Sequence, residues 1–163
     1  MAKSVFRPFG APLLCAFALT ACPMPPPASE RATDAARESN VAARFGRIDI
    51  AVDRTTADFR AEFLRHRAAW GGDVRIIDVE LGGLTMPDSD HAVFEVDYAW
   101  TRVDEDTLRS TRVTQRWTSS KGSWVQESEK RSTGDIGLFG EPVEVLRPRQ
   151  RDAQFATKVI RED

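Results

Sequence analysis

HAVFEVDYAWTRV, residues 91–103, decides how this chain folds. Ala92, Phe94, Val96, Tyr98 and Trp100 alternate with Val93, Glu95, Asp97, Ala99 and Thr101. Successive side chains of a strand point to opposite faces of a sheet. The stretch therefore predicts a long strand with one strongly apolar face. That face needs a cover, and a helix is the usual one.

The neighbours extend the pattern. Upstream, DVRIIDVELGG (73–83) alternates Ile77, Val79 and Leu81 with Asp78 and Glu80, and MPDSDH (86–91) has turn composition. Downstream, Asp104-Glu105-Asp106 forms a hairpin tip. TLRSTRVTQRWTSS (107–120) then puts Thr107, Arg109, Thr111, Val113, Gln115 and Trp117 on one face. After Lys121-Gly122 a fourth strand sets Trp124, Gln126 and Ser128 against Val125, Glu127 and Glu129. Four strands joined by hairpin-sized turns make an antiparallel meander, which twists.

The cover is TTADFRAEFLRHRAAWGG (55–72). Thr55 and Asp58 approximate a capping box. Phe59, Phe63, His66 and Trp70 share one helical face, widened by Leu64 and Ala68, and Gly71-Gly72 ends the helix. RIDIAV (47–52) fits a short strand by its alternation, with a helix as the alternative. The expected fold is α+β: an amphipathic helix on a curved, cone-like antiparallel sheet of about four strands. The expected domain runs over 44–141, followed by a tail, 142–163. About 100 residues suit one small domain.

The N-terminal residues carry a different message. Lys3 and Arg7 precede an apolar run, Ala11–Ala18, far short of the ~20 residues that span a bilayer. A charged head, a short apolar core and a small-residue end describe an export signal. Leu19-Thr20-Ala21-Cys22 then resembles the lipobox of bacterial lipoproteins. The resemblance implies a signal peptide at 1–21, removal just before Cys22, and lipidation of the Cys22 thiol. It also implies a lipid-anchored envelope protein, with Pro23 in place of the aspartate linked to inner-membrane retention, which favours the outer membrane. A disulfide between Cys15 and Cys22 is the competing reading, but Pro23-Met24-Pro25-Pro26-Pro27 builds no domain around them. Residues 22–43 read as a Pro-rich spacer with a helix-capable end, ASERATDAARESNVAARF (28–45). Losing Lys3 and Arg7 makes a chain of formal charge −2 more acidic. Losing Cys15 removes any internal disulfide, so stability must come from the core.

The stretch Phe63–Glu141, with AAWGG, RIIDVEL, VTQRW, GSWVQESEKR and GDIGLFGE, resembles the nuclear-transport-factor-2-like and cystatin-like superfamilies and uncharacterised bacterial lipoproteins. That resemblance implies a pocket between sheet and helix, which carries an Asp/His pair in enzymatic members. The candidate pocket residues are His66, Tyr98, Trp100, Gln115 and Trp117. Acid–base chemistry needs a titratable group within hydrogen-bond reach of substrate. His66 lies on the apolar helix face, where it is either a pocket residue or a histidine satisfied at the helix–sheet seam. His91 sits in a turn. Asp97 points away from the aromatics by alternation, which leaves His66 without an evident carboxylate. Arg109, Thr111 and Gln115 line a cleft or pair with Glu127 and Glu129 across strands on an exposed or half-exposed sheet face. Trp70, Trp100, Trp117 and Trp124 read as core, with an aromatic-lined pocket for an apolar ligand as the alternative.

GDIGLFGEPVEV (134–145) lacks the lysine and helix of a phosphate loop. Arg147, Arg149 and Arg151 form a small basic cluster. Histidine and cysteine spacing fits no zinc site, and no cofactor is expected. The expectation is a non-catalytic binding or scaffold lipoprotein. Its partners are the membrane, through the N-terminal lipid, and an apolar ligand or envelope protein, without nucleic acid. The alternative is an isomerase- or cyclase-like enzyme using His66 and a nearby carboxylate.

Overall fold

Four strands of twelve residues each form one antiparallel sheet: β1 (Val74–Thr85), β2 (His91–Arg102), β3 (Arg109–Ser120) and β4 (Ser123–Gly134), in the order β1-β2-β3-β4. Three helices precede them: α1 (Ala28–Arg44), α2 (Ile48–Asp53) and α3 (Arg60–Arg67). The computed structural model describes residues 25–143. The expected signal peptide, Cys22 and the Arg147/Arg149/Arg151 cluster lie outside the described residues. The α+β class follows directly.

β2 behaves as its alternation requires. Phe94, Val96, Tyr98 and Trp100 are fully buried, and Asp97 faces outward. Trp117 and Val113 from β3 and Trp124 from β4 join them, with Ala32, Ala35 and Ala36 of α1 above. A second cluster gathers Phe59 and Phe63 against Ala42, Ala43 and Ala51.

Several expectations are corrected. The stretch 28–45, read as the helical end of a spacer, is a core helix. Ala32, Ala35, Ala36, Ser39, Asn40, Ala42 and Ala43 are all buried. Alanine forms helices without side-chain entropy loss, and its small side chain lets the helix lie close on the sheet. The folded unit therefore reaches back to Ala28, before the expected boundary at 44. RIDIAV, read as strand or helix, takes the helical alternative, with Ala51 buried and Ile48, Ile50 and Val52 half-buried, so tertiary packing overrides its alternation. The helix bearing Phe63 spans only 60–67, and Thr55 is not its cap. Thr55 instead bridges β4: Thr56 N–H donates to the Gln126 carbonyl at 2.9 Å, and Gln126 N–H to that of Arg54 at 2.7 Å. Leu64 and Ala68 are exposed and widen nothing.

The sheet is also less regular than its sequence. β1 is bulged between Ile76 and Asp78 and between Leu81 and Gly83. The first bulge turns Ile77 out to 42 % exposure while Ile76 packs inward. β4 is bulged against Arg116/Trp117 and Arg112/Val113. An extra residue bends a strand and reverses its inside–outside parity.

Gly134 closes β4 at φ +92°, where a Cβ would lie 2.3 Å from the Ser110 carbonyl oxygen. Gly134→Ala is expected to destabilise the domain by about 1–3 kcal/mol through backbone strain and this clash, measured by urea unfolding. Gly83→Ala, with ordinary φ and no neighbour within 4 Å, is expected to be near neutral.

Candidate functional site

One bulge builds a buried charged cluster. In β4, Arg116 pairs with Ser128 and Trp117 with Gln126, so Glu127 is the extra residue. Trp124 and Gln126 point inward before it, and Glu129 after it. Unbroken alternation would put Glu129 on the opposite face. Its carboxylate is instead in the core.

α3 supplies the counter-charge. Phe63 and Arg67, four residues apart, share its buried face. Arg67 Nη2 donates to Glu129 Oε1 at 2.8 Å, and Nη1 to Oε2. The two side chains are 1 % and 0 % exposed. The guanidinium lies 3.8 Å from the Phe63 ring centroid and 4.8 Å from that of Trp70, a cation–π arrangement that replaces part of its lost hydration. Its Nε has no hydrogen-bond partner among the described residues.

A polar row from α1, β2 and β3 completes the shell. Gln115 Nε2 donates to Glu129 Oε1 at 2.9 Å and to Asn40 Oδ1 at 2.9 Å. Asn40 Nδ2 donates to the Gln115 Oε1 at 3.0 Å and to the Ala36 carbonyl at 2.8 Å. The Tyr98 hydroxyl donates to Asn40 Oδ1. His66 Nδ1 stands 3.4 Å from Glu129 Oε2, and its ring stacks on Phe139 with centroids 4.2 Å apart. The 12 % exposure of its side chain marks the outer rim of the cluster.

The electrostatics follow from this geometry. Burial alone would push the Glu129 carboxyl up. The Arg67 charge, with hydrogen bonds from Arg67, His66 and Gln115, outweighs it and holds the pKa at about 2. Burial, reinforced by the Glu129 charge, pushes the Tyr98 hydroxyl well up, so it stays neutral. Arg67 stays charged, because the Glu129 attraction offsets its desolvation.

The residues expected to line a pocket are thus in one place, but all except His66 at the rim are closed to solvent. Tyr98, Trp100, Gln115 and Trp117 are all 0 % exposed. Trp100 Nε1 donates to Thr111 Oγ1 at 2.9 Å, and Trp70 Nε1 to the Leu138 carbonyl at 2.8 Å. The face carrying Thr111 and Gln115 is core, not an exposed ion-pair surface. Arg109 pairs with Glu105 at 2.5 Å, and Glu127 is exposed. Asp97, on the outer face, takes both hydrogen bonds of Arg112 at 2.7 Å, which lower its pKa. His91 is held by Asp88 at 2.9 Å in an exposed turn.

Sequence reasoning missed Arg67 and Asn40, and it named Glu129 as a cross-strand partner, which it is for Gln115, without its burial. Arg67 had a signal: it continues the Phe59–Phe63 spacing by four. Asn40 interrupts an alanine face, but Glu129 had no comparable mark, because nothing in QESEK announces a bulge.

No family model matches the chain, and no curated protein matches it. Among solved structures, the solution structure of a SEC-C motif containing protein from Rhodopseudomonas palustris is similar, with a TM-score of 0.54 at 14 % identity. The likeness covers 66 % of this chain and 83 % of that one. At this identity it is a likeness of fold.

Glu129 has its pKa below the ordinary carboxylate value, so its stabilisation is full above about pH 4.5 and is lost as pH falls towards 2. Wild-type stability is expected to decline through that window. Glu129→Gln strands the Arg67 charge; it should cost about 3–5 kcal/mol at neutral pH and flatten the acid limb of a stability–pH curve measured by urea unfolding.

Proposed function

We propose that this chain is a lipid-anchored protein of the bacterial cell envelope, whose small α+β domain binds or scaffolds a partner and does not catalyse. The anchor reading rests on Leu19-Thr20-Ala21-Cys22 behind Lys3, Arg7 and a short apolar run. Two or more acyl chains anchor stably where one does not. Pro23 favours the outer membrane. Among the described residues no helix is long and apolar enough to cross a membrane.

The observation that carries the non-catalytic reading is the sealing of the Arg67–Glu129 pair. A general base must reach a substrate proton at hydrogen-bond distance and titrate near the working pH. Glu129 meets neither condition: solvent does not reach it, and Arg67 holds it ionised. The bulges in β1 and β4, which bend those strands, support a curved, cone-like sheet of the kind expected from sequence. An apolar ligand or another envelope protein fits this reading better than nucleic acid, since the chain is weakly acidic.

One observation favours the enzyme alternative. His66 does have a carboxylate at 3.4 Å, the partner that alternation denied it. That carboxylate is already neutralised by Arg67, and Phe139 stacks over the His66 ring. The pair is therefore better suited to joining α3 to β4 than to moving protons.

Intact mass and membrane fractionation of the wild type beside Cys22→Ala test the proposal. The wild type is expected to carry added acyl mass and to sediment with membranes, and the variant to lose both. A wild type that keeps its initiator methionine and stays soluble would refute the anchor.

A further inference from the structure

We infer that the end of the domain bearing the N-terminus of α1 is held against the bilayer surface, with the β2–β3 hairpin pointing away from it. This rests on the anchor proposed above and adds an orientation to it. The interaction surface is the end formed by Ala28, the β1–β2 turn around Met86 and the β3–β4 turn at Ser120–Ser123.

Three observations carry it. First, the helix starts very soon after the anchor. From Cys22 to Ala28 the chain spans at most about 20 Å, even fully extended at ~3.3 Å per residue. Pro27, the residue before the helix, has φ −57° and ψ 156°, which is polyproline II geometry, and four of the five residues from 23 to 27 are proline. Second, that helix is not free to swing. Ala28 and Met86 both pack on the main core cluster, so the tether enters a rigid body.

Third, the strand directions fix which end this is. A groove between α1 and β4 is lined by Arg31 and Asp34 on one side and Gly122, Ser123 and Trp124 on the other. At its far end α1 reaches β1, where Arg44 meets Asp78 at 2.7 Å. His91 pairs with Thr118 beside the two tethered-end turns, and Trp100 pairs with Arg109 beside the opposite hairpin. Strands of twelve residues put about 35–40 Å between the two ends at ~3.3 Å per residue. That separation is nearly twice the reach of the tether, so the far hairpin cannot lie on the same bilayer unless the domain tips onto its side.

Charge does not create this orientation. The tethered end mixes Glu30, Asp88 and Asp90 with Arg31 and Lys121, and offers anionic lipid no cationic patch. The short tether sets it. The exposed end displays Val103 and Leu108, at 62 % and 67 % exposure, to the surrounding compartment.

The test uses the full lipidated protein in phosphatidylethanolamine/phosphatidylglycerol vesicles with an acceptor dye on the lipid headgroups. A donor dye is placed at Ser120→Cys or at Thr107→Cys, both exposed positions. Intact mass and vesicle flotation are recorded on the same samples. Energy transfer is expected to be several-fold greater from 120 than from 107. A 20-residue Gly/Ser insertion between Pro26 and Pro27, adding roughly 25 Å of flexible reach, is expected to erase the difference. Equal or reversed transfer in a protein that carries lipid and floats would overturn the orientation alone. A difference that survives the insertion would overturn the tether as its cause. A protein without acyl mass that does not float would overturn the anchor and the orientation together.

Discussion

Arg67 carries a full positive charge into a core where solvent reaches 1 % of its side chain, and Glu129 makes that placement tolerable. Taking such a pair out of water costs several kcal/mol per ion. The attraction repays this only where geometry is good and the remaining polar atoms find partners. Both conditions are visible here. The guanidinium is bidentate on the carboxylate and faces two aromatic rings, while Gln115 and His66 take up the carboxylate's other approaches. The pair ties α3 to β4. Through Gln115 and Asn40 it extends to β3 and α1, so one polar network reaches both helices packed on the sheet.

This network imposes a constraint on β4. Trp124 and Gln126 face inward as buried side chains, and Glu129 must face inward to meet Arg67. Regular alternation cannot satisfy both, since 126 and 129 differ by an odd number. The bulge at Glu127 resolves the conflict.

The same conflict explains how much of the fold could be read from residues. Periods that run unbroken were legible: the Phe94–Trp100 alternation gave β2 its buried face, and the Phe59–Phe63 spacing marked a buried helical face, although that face packs on Ala42, Ala43 and Ala51 while α1, not the expected helix, covers the sheet. Wherever the period slips, the reading fails. Ile77 and Glu129 each lie beside or beyond a bulge, and each faces the opposite way from its expected side. α1 was hidden for another reason. Its buried face is alanine, serine and asparagine, which shows little contrast with its exposed face, yet small size is what seats it on the sheet. The candidate pocket was legible as a set of neighbours and illegible as a core, because alternation says which side chains meet and not whether solvent enters between them. Exposure separates the two readings: the polar groups here are closed to solvent and hold α1 and α3 to the sheet.

The central claim is that Glu129 is ionised and paired inside the folded domain. Carbon-detected NMR of the glutamate side-chain carboxyls, followed from pH 7 down to the onset of acid unfolding, tests it most directly. The Glu129 signal is expected to stay at its ionised shift throughout the folded range. A Glu129 signal that titrates while the domain is still folded, or that is already protonated at neutral pH, would contradict it.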